Sequence, residues 1–181
     1  MKSVRRFAAC FSLVLFAAGL TLVGAQEAPK PGAEHERLSF FVGKWTSAGE
    51  IMENTMEMPT GKFTGSDHCE WFDGNFTVVC KSEGNGPMGE TKGLGIMSYS
   101  PMAGVYTYYG TDSTGMAMTT IPLGKVDGKT WVYDDEAKMG DETVKNRYVI
   151  VEKSAKSYTF KWEVEGPEGW TTVMSGVTKK G

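Results

Sequence analysis

Residues able to do acid–base, nucleophilic or metal chemistry are few in this chain, and they are scattered. Its two histidines are His35 and His68. A histidine-based triad needs a base held beside its nucleophile, but His35 falls on the polar side of a short helical turn and His68 shares a strand face with Glu70, so both read as solvated surface residues. No Gly-x-Ser-x-Gly elbow occurs. Of the three cysteines, Cys69 and Cys80 read as a pair, which leaves no clustered Cys and His for zinc. The Met-x-Met pairs Met56/Met58 and Met116/Met118 carry thioethers that suit copper(I). With no histidine on the same face they read as lining, and no metal or cofactor is expected. The acidic run Asp134-Asp135-Glu136, with Asp141-Glu142 beyond it, matches no calcium loop and reads as a solvated hairpin end rather than a carboxylate pair for glycoside cleavage. Asp67 is the exception. Its strand parity places it inside with Cys69 and Trp71, where an unpaired carboxylate is costly. A ligand's polar group, Arg147, a tyrosine hydroxyl or a wet barrel rim would each relieve that cost.

The elements that must position these residues are organised around Leu38-Ser39-Phe40-Phe41-Val42-Gly43-Lys44-Trp45. Leu38, Phe41 and Val42 fall at the spacing of one helix face, Glu34 and Glu36 suit the positive end of the helix dipole, and Gly43 stops the turn. Phe41 and Trp45 are therefore expected to close one end of a barrel. Turn signals then recur at short intervals, from Met58-Pro59-Thr60-Gly61 through Gly84-Asn85-Gly86-Pro87 to Gly166-Pro167-Glu168-Gly169, leaving about ten strand-like segments. This is an all-β pattern, and short sequential connections favour an antiparallel up-and-down barrel of about eight to ten strands.

Alternation assigns faces. Tyr158, Phe160, Trp162 and Val164 oppose Thr159, Lys161 and Glu163; Trp131 and Tyr133 face together; Met97 and Tyr99 form another pair, as do Met116 and Met118. The inward set Met97, Tyr99, Met116, Met118, Trp131 and Tyr133, with Phe160, Trp162, Asp67 and Trp71, mixes aromatic rings with flexible thioethers. Such a set suits an adaptable apolar cavity, against the alternative that the same side chains simply fill the barrel.

Lys2, Arg5 and Arg6 precede an apolar run ending in Val23-Gly24-Ala25, the pattern of a secretory signal peptide cut after Ala25. Residues 26–32, with two prolines, read as a tether, and residues 33–181 as one domain. Without the leader, 16 Lys and Arg stand against 22 Asp and Glu, a net charge of −6 that argues against nucleic acid. No later apolar run is long enough to span a bilayer as a helix. A secreted or periplasmic address fits a Cys69–Cys80 disulfide. A two-residue turn at Gly74-Asn75 would pair Trp71 with Val78 and Cys69 with Cys80, whereas a turn centred on Asp73-Gly74 would offset the cysteines.

The plug segment, the Trp71-Phe72-Asp73-Gly74-Asn75-Phe76 hairpin, and Gly95-Ile96-Met97-Ser98-Tyr99-Ser100 followed by Tyr106 together resemble the exported bacterial family known as domain of unknown function 1579, from about Leu38 to Lys179. That family often reads Gly-Tyr-Asp where this chain has Ser98-Tyr99-Ser100, and the resemblance implies no activity. Gly43-x-Trp45 after a short helix also resembles the signature of lipocalins and their calycin relatives, which implies a closed barrel end at Trp45 and a small apolar guest. This chain has no arginine on the last strand to stack on Trp45, and Gly110-Thr111-Asp112 lacks the aromatic of the Thr-Asp-Tyr pattern. Haem-binding barrels of the nitrobindin type are similar in outline but need a late-strand histidine, and none follows His68. The expectation is an exported barrel that binds a small apolar or amphipathic molecule. Its rivals are a hydrolase or isomerase using Asp67 with a tyrosine such as Tyr99 or Tyr133, and a structural envelope protein with a filled interior.

Overall fold

The computed structural model of the chain describes residues 28–53, 58–139 and 142–181. The expected leader, Met56 and the Gly140-Asp141 turn lie outside the described residues. Helix α1 (Ala33–Arg37) passes directly into a 3-10 turn, Leu38–Phe41. Five residues cannot hold a helix alone, so burial of His35, Leu38 and Phe41 must hold this one. His35 corrects the sequence reading: it is 6% exposed, its Nδ1 accepts the Gly32 N–H at 3.2 Å, and its ring meets Phe76 and Tyr99 edge-on at 5.0 and 5.5 Å.

Ten strands follow: β1 (Gly43–Ile51), β2 (Gly61–Trp71), β3 (Thr77–Gly86), β4 (Gly89–Ser100), β5 (Val105–Asp112), β6 (Leu123–Asp127), β7 (Thr130–Met139), β8 (Glu142–Ser154), β9 (Ser157–Gly166) and β10 (Gly169–Lys180). Each pairs antiparallel with its chain neighbour, and β10 returns to β1 from Trp45↔Lys180 to Ile51↔Met174, closing the barrel. Closure gives every strand a paired neighbour on both sides. The connections after β2, β4, β6 and β8 lie at the plug end, and those after β3, β5 and β9 at the far end. The turn expected at Gly84–Pro87 falls later, because β3 runs on to pair Gly86 with Gly89 around Pro87-Met88.

The β2–β3 register pairs Trp71 with Val78 and Cys69 with Cys80, and the disulfide is formed. The turn differs from the expected one. Asn75 N–H bonds the Phe72 carbonyl, which centres the turn on Asp73-Gly74, and Asn75 at φ +58° adds a second left-handed residue after Gly74 at +85°. That extra residue absorbs the offset, so the cysteines still face each other.

One seam is short. β5 and β6 share only Tyr106↔Gly124 and Thr107↔Leu123, close to the plug. Beyond them the segment from Ser113 to Pro122 folds back on β5, with Asp112 N–H on the Met116 carbonyl and Met118 N–H on the Gly110 carbonyl.

On the outer wall Glu163 accepts from Arg147 Nε at 2.7 Å, Thr172 Oγ1 at 3.2 Å and Lys161 Nζ at 3.3 Å. The Arg147 guanidinium lies 4.2 Å over the Trp170 ring. Arg147 thus faces away from the cavity and is no partner for Asp67. Burial alone would raise the Glu163 carboxyl, but the Arg147 and Lys161 hydrogen bonds outweigh it and hold the pKa below its ordinary 4.5. A carboxylate with a depressed native pKa adds stability above its unfolded pKa and loses it as pH falls through the folded one. Glu163→Gln should therefore lower stability by about 1–2 kcal/mol at pH 7, with the difference shrinking in urea titrations at pH 3.5.

Candidate functional site

The interior holds a cavity of about 540 Å³. Its floor is the plug end, where Trp45 Nε1–H donates to the Phe41 carbonyl at 2.6 Å and the Trp45 ring meets Tyr158 at 5.2 Å. Phe41 and Trp45 therefore pack together at that end of the barrel. The last strand supplies a cation after all: Lys180 Nζ sits 4.9 Å over the Trp45 ring.

Small inward residues explain why the barrel is hollow. Gly49 and Gly176 face each other across β1 and β10, and a Cβ on either would come within 2.6 Å of a ring atom of Phe63 or Phe160. Gly95 and Gly110 are likewise paired and lie against Tyr108, while a Cβ at Gly124 would strike the Tyr133 ring at 2.5 Å. Missing side chains let these rings lie flat along the wall instead of crossing the lumen. The sequence reading missed these glycines. The signal was present in the alternation Gly93-x-Gly95 and in Gly110 beside inward Tyr108, where inward glycines carry no side-chain volume.

Asp67, Met97, Met118, Tyr133, Phe160 and Trp162 line the cavity, as do both cysteines. Four residues assigned to the lining lie elsewhere. Trp131 is fully buried at the plug end, edge-on to Phe41 and Tyr106 at 4.9 Å each. Tyr99 packs there against His35 and Tyr106, and Trp71 is half-buried against the same aromatic cluster. Parity had given their face but not their depth. Met116 is 63% exposed, on a stretch, residues 116–118, that forms no strand. Met118 and Met116 both border a second space that adjoins the cavity and shares Ser82, Tyr108 and Trp162 with it.

Asp67 sits directly between Trp45 on β1 and Ser82 on β3. Among the described residues it has no hydrogen bond or ion pair, and burial holds its carboxyl above the usual aspartate value. Burial, and then the Asp67 charge, raise the Tyr108 hydroxyl; burial pushes Tyr158 up to about 12. Tyr133 is 4% exposed, and its hydroxyl has no hydrogen-bond partner among the described residues. A largely aromatic chamber thus carries a buried hydroxyl, that of Tyr133, and a part-buried carboxyl, that of Asp67, each without a hydrogen-bond partner among the described residues. Elsewhere the polar residues are satisfied or solvated. His68 points outward, 3.5 Å from Glu70. The acidic run lies within β7 rather than at a hairpin end, and Asp135 Oδ2 accepts from Asn146 at 3.5 Å.

Residues 30–180 match the family model described as "Protein of unknown function (DUF1579)". No curated protein matches the chain. Among solved structures, Rv2717c from M. tuberculosis superposes with a TM-score of 0.58 at 10% identity, over 83% of this chain and 98% of that one. The S-type phycobiliprotein lyase CPES from Guillardia theta gives 0.53 at 10% identity, over 80% of this chain and 89% of that one. At such identities the likeness is one of fold.

Proposed function

The chain belongs to the DUF1579 family, whose description assigns no activity, and we propose from the interior that it binds a small apolar or amphipathic molecule. What carries this reading is the lumen itself: paired inward glycines hold aromatic rings against the wall, leaving about 540 Å³ for a guest. Such a volume lies in the range of small-molecule sites. Export completes the proposal. The Cys69–Cys80 disulfide belongs in an oxidising compartment, and residues 1–25 have the pattern of a cleaved leader. No helix among the described residues is long and apolar enough to cross a membrane.

The test is titration with N-phenyl-1-naphthylamine, an uncharged fluorophore that brightens in apolar surroundings. Saturable enhancement at one site per chain is expected. Ser82→Trp places an indole into the lumen from the small inward position beside Asp67, and should weaken binding at least about tenfold, or 1.4 kcal/mol. No enhancement in the folded protein, or equal enhancement in a folded Ser82→Trp variant, overturns the reading.

A further inference from the structure

We propose that the guest carries a positively charged nitrogen, an organic amine or ammonium, seated against Asp67 at the floor of the cavity. This deepens the ligand-binding reading and rests on it.

Drawing a charge out of water is costly unless it is paired or hydrogen-bonded, yet Asp67, part-buried on the cavity wall, has neither kind of partner among the described residues. Among the described residues no Lys or Arg is paired with it. Lys180 lies over Trp45 and Arg37 on Glu152, while Arg147 is committed to Glu163 on the outer wall. Among the described residues no Lys or Arg lines the main cavity. The raised Asp67 pKa is the expected sign of a carboxyl still lacking its counter-charge.

The surroundings favour a cation over the other ways of satisfying an acid. A carboxylate only accepts, so a guest must bring a donor to it. Trp45 stands opposite it on β1, the Asp67 charge is felt by the Tyr108 and Tyr158 hydroxyls on the same lining, and ring faces attract cations, more strongly once water is excluded. Charge along the route agrees. Between them the cavity and the adjoining space are lined by four acids, Asp67, Glu83, Asp112 and Asp135, and by one base, Lys138. Lys138 is hydrogen-bonded to Thr143; Glu83 is offset by Lys92 on the outer wall. An anionic guest would meet repulsion at Asp67, and a neutral one would leave its charge without a counter-charge.

Three probes of one shape separate these outcomes: 2-(1-naphthyl)ethylamine, 2-(1-naphthyl)ethanol and 1-naphthylacetate, measured by calorimetry at pH 7 beside N-phenyl-1-naphthylamine. In the native protein the amine should bind at least tenfold tighter than the alcohol, and the acetate weakest. Asp67→Asn, which keeps the shape of the side chain, should remove at least tenfold of the amine's affinity and leave the alcohol within about twofold. If the alcohol equals or exceeds the amine while the uncharged fluorophore binds, the cavity stands and the cation inference falls. A folded Asp67→Asn variant that keeps the amine preference also overturns it. If none of the four compounds binds, both readings fall together. The comparison among probes on the native protein needs no variant, so misfolding of Asp67→Asn would not shield the proposal.

Discussion

Trp131→Ala should destabilise the protein by about 3–5 kcal/mol, the range for deleting a large aromatic from a packed core. Trp131 is fully buried where the plug meets the barrel, against Phe41, Tyr106 and the Arg37 guanidinium at 5.1 Å. Its Nε1–H donates to Glu152 Oε1 at 2.6 Å, and Arg37 bonds the same oxygen. Truncation therefore empties the space under the plug and strips one donor from a nearly buried carboxylate. Trp170→Ala is the control, since that ring lies on the outer wall and is partly exposed; it should change stability by under about 1 kcal/mol. Equilibrium urea unfolding reads both. Because Trp131 does not line the cavity, the surviving folded Trp131→Ala protein should still bind N-phenyl-1-naphthylamine. Losses of similar size in the two variants would contradict the placement of Trp131 as the keystone of the closed end.

Removing the disulfide is the second large effect. Cys69 and Cys80 are 11 residues apart and directly opposed, so the bond closes a short loop and restricts the unfolded chain. For a loop of that length the chain-entropy account gives about 3 kcal/mol. Cys69→Ala/Cys80→Ala should lose that amount in urea unfolding, and reductant should bring the native protein to nearly the same stability while leaving the double variant unchanged. Cross-strand pairing on both sides of the hairpin preserves the register without the bond, so far-ultraviolet circular dichroism should not change. A much larger loss, or loss of strand signal, would mean that the bond holds the register and not merely the unfolded ensemble.

The barrel, its plug and the inward faces of β2 and β9 were legible because long, regular strands alternate with period two, and a parity assignment made at Phe63 carries unbroken to Trp71. Depth was not legible. Trp131 and Tyr133 share a face and a strand, yet one packs under the plug and the other lines the lumen, and only the closed geometry separates them. His35 escaped because a five-residue helix that tightens into a 3-10 turn keeps no single period from which to read a face. Arg147 was one residue out of phase with the interior. The cavity hinged on residues that contribute nothing to a hydrophobic pattern: glycines at inward positions show their effect only when the ring lying across them is known. Asp67 was visible as an anomaly from the start, since a charged residue at an inward position stands out against any apolar alternation.

The short β5–β6 seam bears on time rather than affinity. Two residue pairs join those strands near the plug, and beyond them the wall is completed by the Ser113–Pro122 segment, which places Met118 and Pro122 against the cavity. That segment is held by a handful of backbone hydrogen bonds to β5 and β4, where a full strand would contribute a continuous ladder. Local opening there breaks fewer bonds than parting any other pair of neighbouring strands. For the proposed guest, exchange through this part of the wall would be paced by how often the segment lifts and not by affinity alone.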